Sequence, residues 1–564
     1  MANRSSTKVV LGIFGAAIIV FGLVYLGISI TKNIGKSQNQ ISTENAAKSL
    51  TAIVKDMIVH TVTHEKAQVD LQSTDIKDAL PDISKFPAQV GNSTPDYIEI
   101  FSSTEKAGTG TDGWLTEVAK DFNNSSITID GKKVSVRLRG IASGTGTDYI
   151  TSGKYLPDAF TPSNELWGEM IASQGVKTQL AQKRLAGNVP GILLTKAKKN
   201  ELVKKYGAIN IKTITDAVSN NELAMGYTNP FASSTGLNFL ISALYTFDSS
   251  NLLSEKAIKG FETFQTNIPF VAYTTLQMRD SAKSGVLDGF ILEYQTYLNT
   301  PDIKSGYEFT PFGVRHDSPM YAIGDLSAEK TKILNQFIAF TQQDKYQTLA
   351  TEYGFNGLNE YKSESGAVGG DVITNAQKLW KEKKNAGKNI CAVFVADVSG
   401  SMDGEPINKL KQSLLQGQNY IGKDNLVGLV SYSDDVYIDL PLGKFDLTQK
   451  SLFAGAVKDL QAGGSTATFD GIAVAMQMIE QEIAKNPDLK PMIFVLSDGV
   501  TNRGHSLEDI TGVVQAFKIP IYTIGYNADI TALQSISSIN EAASINADTD
   551  NVVYQLTNLF NAQM

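Results

Sequence analysis

The chain has 564 residues, 42% of them hydrophobic, with 50 basic against 58 acidic side chains, a net charge of −8 and a pI near 5.3. Such a length holds about three or four domains of ordinary globular composition, and the lack of a basic run or arginine stripe argues against a nucleic-acid partner. The single cysteine, Cys391, excludes an intrachain disulfide and with it a disulfide-stapled scaffold.

Residues 9–30 carry no charge and are rich in Ile, Val, Leu, Phe and Gly. At about 1.5 Å per residue the run is long enough to cross a hydrocarbon core of about 30 Å. It follows a short tail, 1–8, containing Arg4 and Lys8, and it exceeds the roughly 7–15 apolar residues of a cleaved signal peptide, so it reads as a transmembrane signal anchor. Lys32, Lys36 and Lys48 flank the other side, so charge bias does not set the orientation. The expectation of a cytoplasmic tail, with the bulk of the chain outside, comes from the domain that follows. Within 31–94, Leu50, Ile53, Val54, Met57, Ile58 and Val62 recur at three- and four-residue spacing and predict one amphipathic helix over about 42–63, a stalk or docking helix near the membrane. His60 and His64 fall four apart on it; the stretch after His64 lacks the second histidine of a zincin, so both read as a solvated helix face. Pro81, Pro87 and Pro95, with Gly91-Asn92-Ser93, mark a linker.

From Tyr97 to about Tyr361, short β-rich runs at 98–101, 134–138, 191–195, 223–226 and 289–292 alternate with helical patterns, predicting an α/β sheet with ligands at strand ends. Hydroxyl-rich loops follow three of these runs: Ser102-Ser103-Thr104, then Ala142 to Thr147, then Thr228 to Gly236. Each leads into a predicted helix, where hydroxyls and backbone N–H groups offer donors to an anion, although the same residues also serve as plain helix caps. In this arrangement 95–362 resembles a two-lobed extracellular solute-binding protein, through Glu99-Ile100-Phe101-Ser102-Ser103, the crossover Pro190-Gly191-Ile192-Leu193-Leu194 and the return from Gly285 to Tyr294. The resemblance implies a small polar or anionic solute held between lobes that close about a hinge. By position it places Ser103, Thr145, Asn164, Ser234 and Tyr294 at the cleft. Arg315 and His316 suit an exposed edge equally well and are left outside the site.

A flexible polar linker follows at 363–370, then a helix ending near 381–388. From Asn389 to Gly404 a short apolar run ends in a carboxylate and two hydroxyls at alternate positions, which reads as a buried parallel strand whose loop presents oxygen ligands. Alternate residues of an extended loop face the same way, so Asp397, Ser399 and Ser401 can converge on one small cation. Gly463-Gly464-Ser465-Thr466 falls between two helical patterns, and a second buried strand at 492–496 delivers Ser497-Asp498-Gly499. Together these pieces resemble the D-x-S-x-S, T, D signature of von Willebrand factor A domains over 384–564. The resemblance implies a metal-ion-dependent adhesion site of Asp397, Ser399, Ser401, Thr466 and Asp498, with one coordination position left for an acidic group of a protein partner. Mg²⁺ or Mn²⁺ suits those oxygens better than Ca²⁺. Within that domain 410–421, 454–460, 472–483 and 507–517 read as helices, and 427–430 and 521–524 as strands. No phosphate loop, nucleophile elbow or histidine beside a serine and an acid occurs, so no catalysis is expected.

The expected fold class is therefore α/β: one N-terminal transmembrane helix, a two-lobed periplasmic-binding-protein-like domain, and a Rossmann-like von Willebrand A domain. The expected protein is a single-pass extracytoplasmic binding protein of the cell membrane, joining solute recognition to metal-dependent protein binding or adhesion. The alternative is a metal-binding accessory subunit of a chelatase-like or assembly ATPase system.

Overall fold

The computed structural model describes residues 42–69, 77 and 80–526, apart from 269, 273–274, 283–286, 386–387 and 500, and beyond 526 residues 533, 535–537, 544–547, 559–560 and 563–564. The expected anchor at 9–30 and the tail before it lie outside these residues; among those described, no helix is long and apolar enough to cross a membrane.

The strand Ile390–Asp397 is the centre of a seven-stranded sheet, and every one of its residues is buried. Strands on both edges and helices on both faces leave it no polar side, which is why its sequence is a continuous apolar run. Cys391, Val393 and Val395 enter one core beneath the helices Thr468–Lys485 and Leu507–Phe517, while Ala392, Phe394 and Ala396 enter another beneath Glu405–Gly417 and Leu447–Asp459. It pairs in parallel with Leu426–Tyr432 and Lys490–Ser497; Ile521–Tyr526 and Ser544–Ala547 continue the sheet on one side. On the other side Val436–Lys444, a strand absent from the expected pattern, runs antiparallel to Leu426–Tyr432.

The seventh strand comes from the far end of the chain. Val59–Thr61 pairs in parallel with the start of Val436–Lys444, Val62 donates its N–H to Ile438 O at 3.0 Å, and Ala67 donates to Ser451 O at 3.0 Å. A β-carbon at Gly455 would stand 1.9 Å from Glu65 O, so only glycine lets this segment lie so close. The preceding helix, Thr43–Lys55, is capped by the Ser42 hydroxyl, buries Ala46 and Leu50, and packs on Thr468–Lys485 and Leu507–Phe517. The expected single helix over 42–63 is thus a shorter helix followed by a strand, and Ile58 is left exposed. Nor do His60 and His64 form a solvated helix face. His60 Nε2 lies 3.2 Å from Asp435, and His64, 10% exposed, sits between Asp439 at 3.2 Å and Asp459 at 2.9 Å. Residues 42–69 therefore complete the C-terminal sheet, and everything between them and Ile390 is an insertion into that domain.

The insertion has two sheets. The first lobe orders Ala88–Val90, Lys132–Gly140, Asp96–Ser102, Ala159–Thr161, Met320–Ile323 and Thr178–Gln182; the second orders Phe270–Ala272, Met225–Thr228, Gly289–Glu293, Pro190–Thr195 and Tyr307–Pro311. The chain crosses between lobes ahead of Pro190 and again after Pro311. The run expected at 223–226 is found two residues later, at Met225–Thr228, whereas the other four fall inside the observed strands. The linker 363–370 is tied down where it passes the second crossing: Gly313 N–H donates to Glu364 Oε2 at 3.0 Å, and Arg315 N–H to Ser363 Oγ at 3.1 Å.

Candidate functional site

Two places bring chemistry together. At the carboxyl end of Ile390–Asp397, Asp397 is fully buried, accepting the Ser399 N–H at 2.8 Å and the Ser497 hydroxyl at 2.6 Å. Burial raises its pKa, and Asp498 adds to the rise, while the hydrogen bonds from Ser497 and Ser399 oppose it. Ser399 Oγ lies 3.1 Å from Ser401 Oγ, which donates to Asp498 Oδ1 at 2.8 Å. Four of the five expected metal residues thus form one hydrogen-bonded series across two loops. The fifth, Thr466, is on the neighbouring loop, which is bonded to the first through Gly400 N–H to Gly464 O at 2.9 Å and Gly463 N–H to Val398 O at 2.8 Å. The side chains of this set offer oxygen alone, two carboxylates and three hydroxyls, and the Ser399 N–H and Ser497 hydroxyl that bind the buried Asp397 carboxylate are neutral donors. That chemistry fits a small hard dication.

Asn502 was not expected here. Its Oδ1 accepts the Thr466 N–H at 2.9 Å while its own N–H donates to Thr466 O at 3.0 Å, so it grips Thr466 from both sides. Asp434 holds the same loop, accepting from Ser465 N–H at 3.3 Å and pairing with Arg503 at 3.4 Å. Nothing local in the sequence marks Asn502; it lies a few residues past Asp498, and its role depends on the fold bringing that loop to Thr466.

The second place is the cleft between the lobes. The first lobe brings Ser103, Glu105, Ser143 and Ser163 to it, the second Ser233, Ser234, Thr275 and Glu293, around a cavity of about 20 Å³, room for a single water. Of the expected cleft residues, Ser103 and Ser234 line it. Asn164 stands beside it, donating to Ser234 O at 3.2 Å, and Thr145 is buried in the helix Ser143–Thr151 away from the lining. Tyr294 is turned out of the cleft, its ring against Phe309 at 5.1 Å. His316 is not at an exposed edge: it is fully buried, 2.7 Å from Glu293 Oε1, with Asn164 and Asn238 at its other nitrogen. Lys106 is equally buried and pairs with Glu105 at 3.6 Å. Burial works to raise the Glu105 pKa, but Lys106 and the hydroxyls of Ser103 and Ser163 outweigh it and hold the group low. Burial, with repulsion from Glu105, pushes Glu293 up, and burial draws Lys106 down.

Residues 392–562 match the family model of the von Willebrand factor type A domain, and residues 106–356 that of the bacterial extracellular solute-binding protein. An uncharacterized protein of Synechocystis (sll0103) is 27% identical over 141 residues, which are 24% of this chain and 32% of that protein. Among solved structures, a von Willebrand factor type A protein from Catenulispora acidiphila is 17% identical with a TM-score of 0.29, covering 31% of this chain and 42% of the other. The sulfate-binding protein SubI from Mycobacterium tuberculosis is 14% identical with a TM-score of 0.34, covering 50% and 91%. The chain thus carries a von Willebrand factor type A domain and, ahead of its matched stretch, a two-lobed bacterial extracellular solute-binding domain.

Proposed function

We propose that the protein is a membrane-anchored extracytoplasmic binding protein in which the von Willebrand A domain holds Mg²⁺ or Mn²⁺ and uses it to grip an acidic group of a protein partner. The observation that carries this reading is the hydrogen-bonded series Asp397, Ser399, Ser401 and Asp498, with Thr466 on the adjoining loop. These residues would hold the metal, which when bound supplies an open coordination position to an incoming Asp or Glu. With only two carboxylates in the set, the ion keeps residual positive charge toward that ligand. The cleft would take a small polar solute; Glu105 and Glu293 among its hydroxyls favour one that brings hydrogen-bond donors over a fully ionised oxyanion.

Calorimetric titration of the full chain with Mn²⁺ tests the metal reading. Asp397→Ala should weaken binding more than Asp498→Asn, which keeps shape and an acceptor oxygen; losses of about 10–100-fold are typical even for groups outside direct coordination. Circular dichroism should show both variants folded. An Asp397→Ala chain that binds Mn²⁺ as wild type does would remove the adhesion-site reading.

A further inference from the structure

The helix Gly370–Lys383 belongs to neither matched stretch, since one ends at 356 and the other begins at 392. Its first residue is seated on the first lobe, so close to the helix Leu166–Ser173 that a β-carbon on Gly370 would stand 2.1 Å from Glu169 O. Its other end is fastened to the second lobe. Trp380, fully buried, donates its indole N–H to Tyr227 Oη at 2.6 Å; Gln377 donates to Pro230 O at 2.8 Å; Lys383 pairs with Glu262 at 3.7 Å. Ile373, Ala376 and Trp380 lie in one apolar cluster with Trp167 and Met170 of the first lobe and Phe239 and Phe264 of the second.

The two residues that follow the same helix are themselves held in place, the second of them against the metal domain. Lys384 is buried with its ammonium 5.4 Å from the Trp380 ring, and Asn385 accepts from Lys490 at 3.3 Å on the strand beside Ile390–Asp397. A rigid helix cannot follow two lobes that rotate apart, so opening the cleft must release one of its two attachments. We propose that Gly370–Lys383 is a latch that holds the cleft closed without solute, and that its release moves the start of the strand ending on Asp397. Opening of the cleft thereby regulates the metal site. The first half stands on the lobe contacts alone; the second rests on the metal reading above.

The test places spin labels on the full chain through Lys120→Cys in the first lobe and Lys259→Cys in the second, both exposed positions. Native Cys391 stays unlabelled because it is buried and its thiol is pushed up to about 12. The unaltered latch should give one short distance. Trp380→Phe combined with Gln377→Ala, which removes both hydrogen bonds to the second lobe while keeping an aromatic filler, should add a longer population. Gly370→Ala, which loosens the opposite end, should do the same. Mn²⁺ affinity should change at least about fivefold in the opened chains, the lower end of ordinary coupling between sites. Unchanged distances in both variants overturn the latch, and longer distances with unchanged Mn²⁺ affinity overturn the coupling. A wild-type chain that binds no Mn²⁺ sinks the metal reading and the coupling with it, while the distances still decide the latch.

Discussion

Gly144 sits where the lobes touch backbone to backbone. Its N–H donates to Ala232 O at 3.0 Å across the cleft, and a β-carbon there would lie 1.7 Å from Phe231 O and 2.7 Å from Ala232 Cα. Relief to van der Waals distance requires the lobes to part by roughly 1.5–2 Å. That movement breaks the Gly144 bond and strains the other bridges of the same seam, Trp167 Nε1 to Ser234 Oγ at 2.8 Å and Ser234 Oγ to Ser143 Oγ at 3.1 Å. At about 0.5–1.5 kcal/mol each, losing two or three of them shifts the closed–open balance by about 1–4 kcal/mol, roughly 5- to 1,000-fold. The substitution costs nothing locally: Gly144 is in the helix Ser143–Thr151 without a positive φ, and alanine in a helix is better than glycine by about 0.5–1 kcal/mol. Gly144→Ala should therefore open the cleft without unfolding the lobe. The same spin-label pair reads the opening, thermal melting reads the fold, and Gly366→Ala, which meets open space, is the control. A Gly144→Ala chain with the wild-type distance and melting temperature would refute the claim that the seam is held by backbone contact.

Asn502→Ala should weaken Mn²⁺ binding by about 10-fold by freeing Thr466, and Asn502→Asp, which keeps the accepting oxygen, should restore most of it; titration calorimetry reads both. His64→Ala leaves the nearly buried Asp439 carboxylate without its imidazole, a loss of about 1–3 kcal/mol, and should speed amide exchange over Val59–Thr61 ahead of the central strands. Burial raises the Asp148 carboxyl to about 7, beside Tyr420 of the metal domain. The folded chain then binds this proton more tightly than the unfolded one, so Asp148 makes stability fall as pH rises from about 4 to 7. Asp148→Asn should match wild type near pH 4 and exceed it above pH 7 by up to about 4 kcal/mol, less whatever water still solvates the carboxylate, as read by denaturant midpoints at the two pH values.

The metal loops were legible because each is local: a strand that must be apolar on both faces ends in its own ligands, so Asp397, Ser399 and Ser401 need only the direction of one loop. The cleft was less so. Ser103 and Ser234 follow from hydroxyls at strand ends, but a helix turns about 100° per residue, and whether Ser143 or Thr145 faces the gap depends on how the lobes dock. Glu293 closes a strand while His316 lies in the loop between Tyr307–Pro311 and Met320–Ile323, where it suits an exposed edge equally well by sequence; the two meet only because the second crossing returns beside the end of Gly289–Glu293.

The N-terminal segment failed in a different way. Leu50, Ile53 and Val54 do lie at helical spacing on a real helix, but Val59 and Thr61 alternate as a strand, and apolar residues at 57, 58 and 62 satisfy either period over so short a span. What decided the matter was an edge some 375 residues away, the antiparallel strand Val436–Lys444, whose unpaired side accepts Val59–Thr61. That distant pairing carries a mechanical consequence. The chain enters the metal domain first, leaves to build the cleft, and returns through the helix Gly370–Lys383. A load applied between the N-terminus and the metal loops therefore passes through Val59–Thr61 and its neighbours in the seven-stranded sheet, and the solute domain hangs outside that path, joined to it by its two connections and by side contacts such as Gln563 to Val271 O at 2.8 Å.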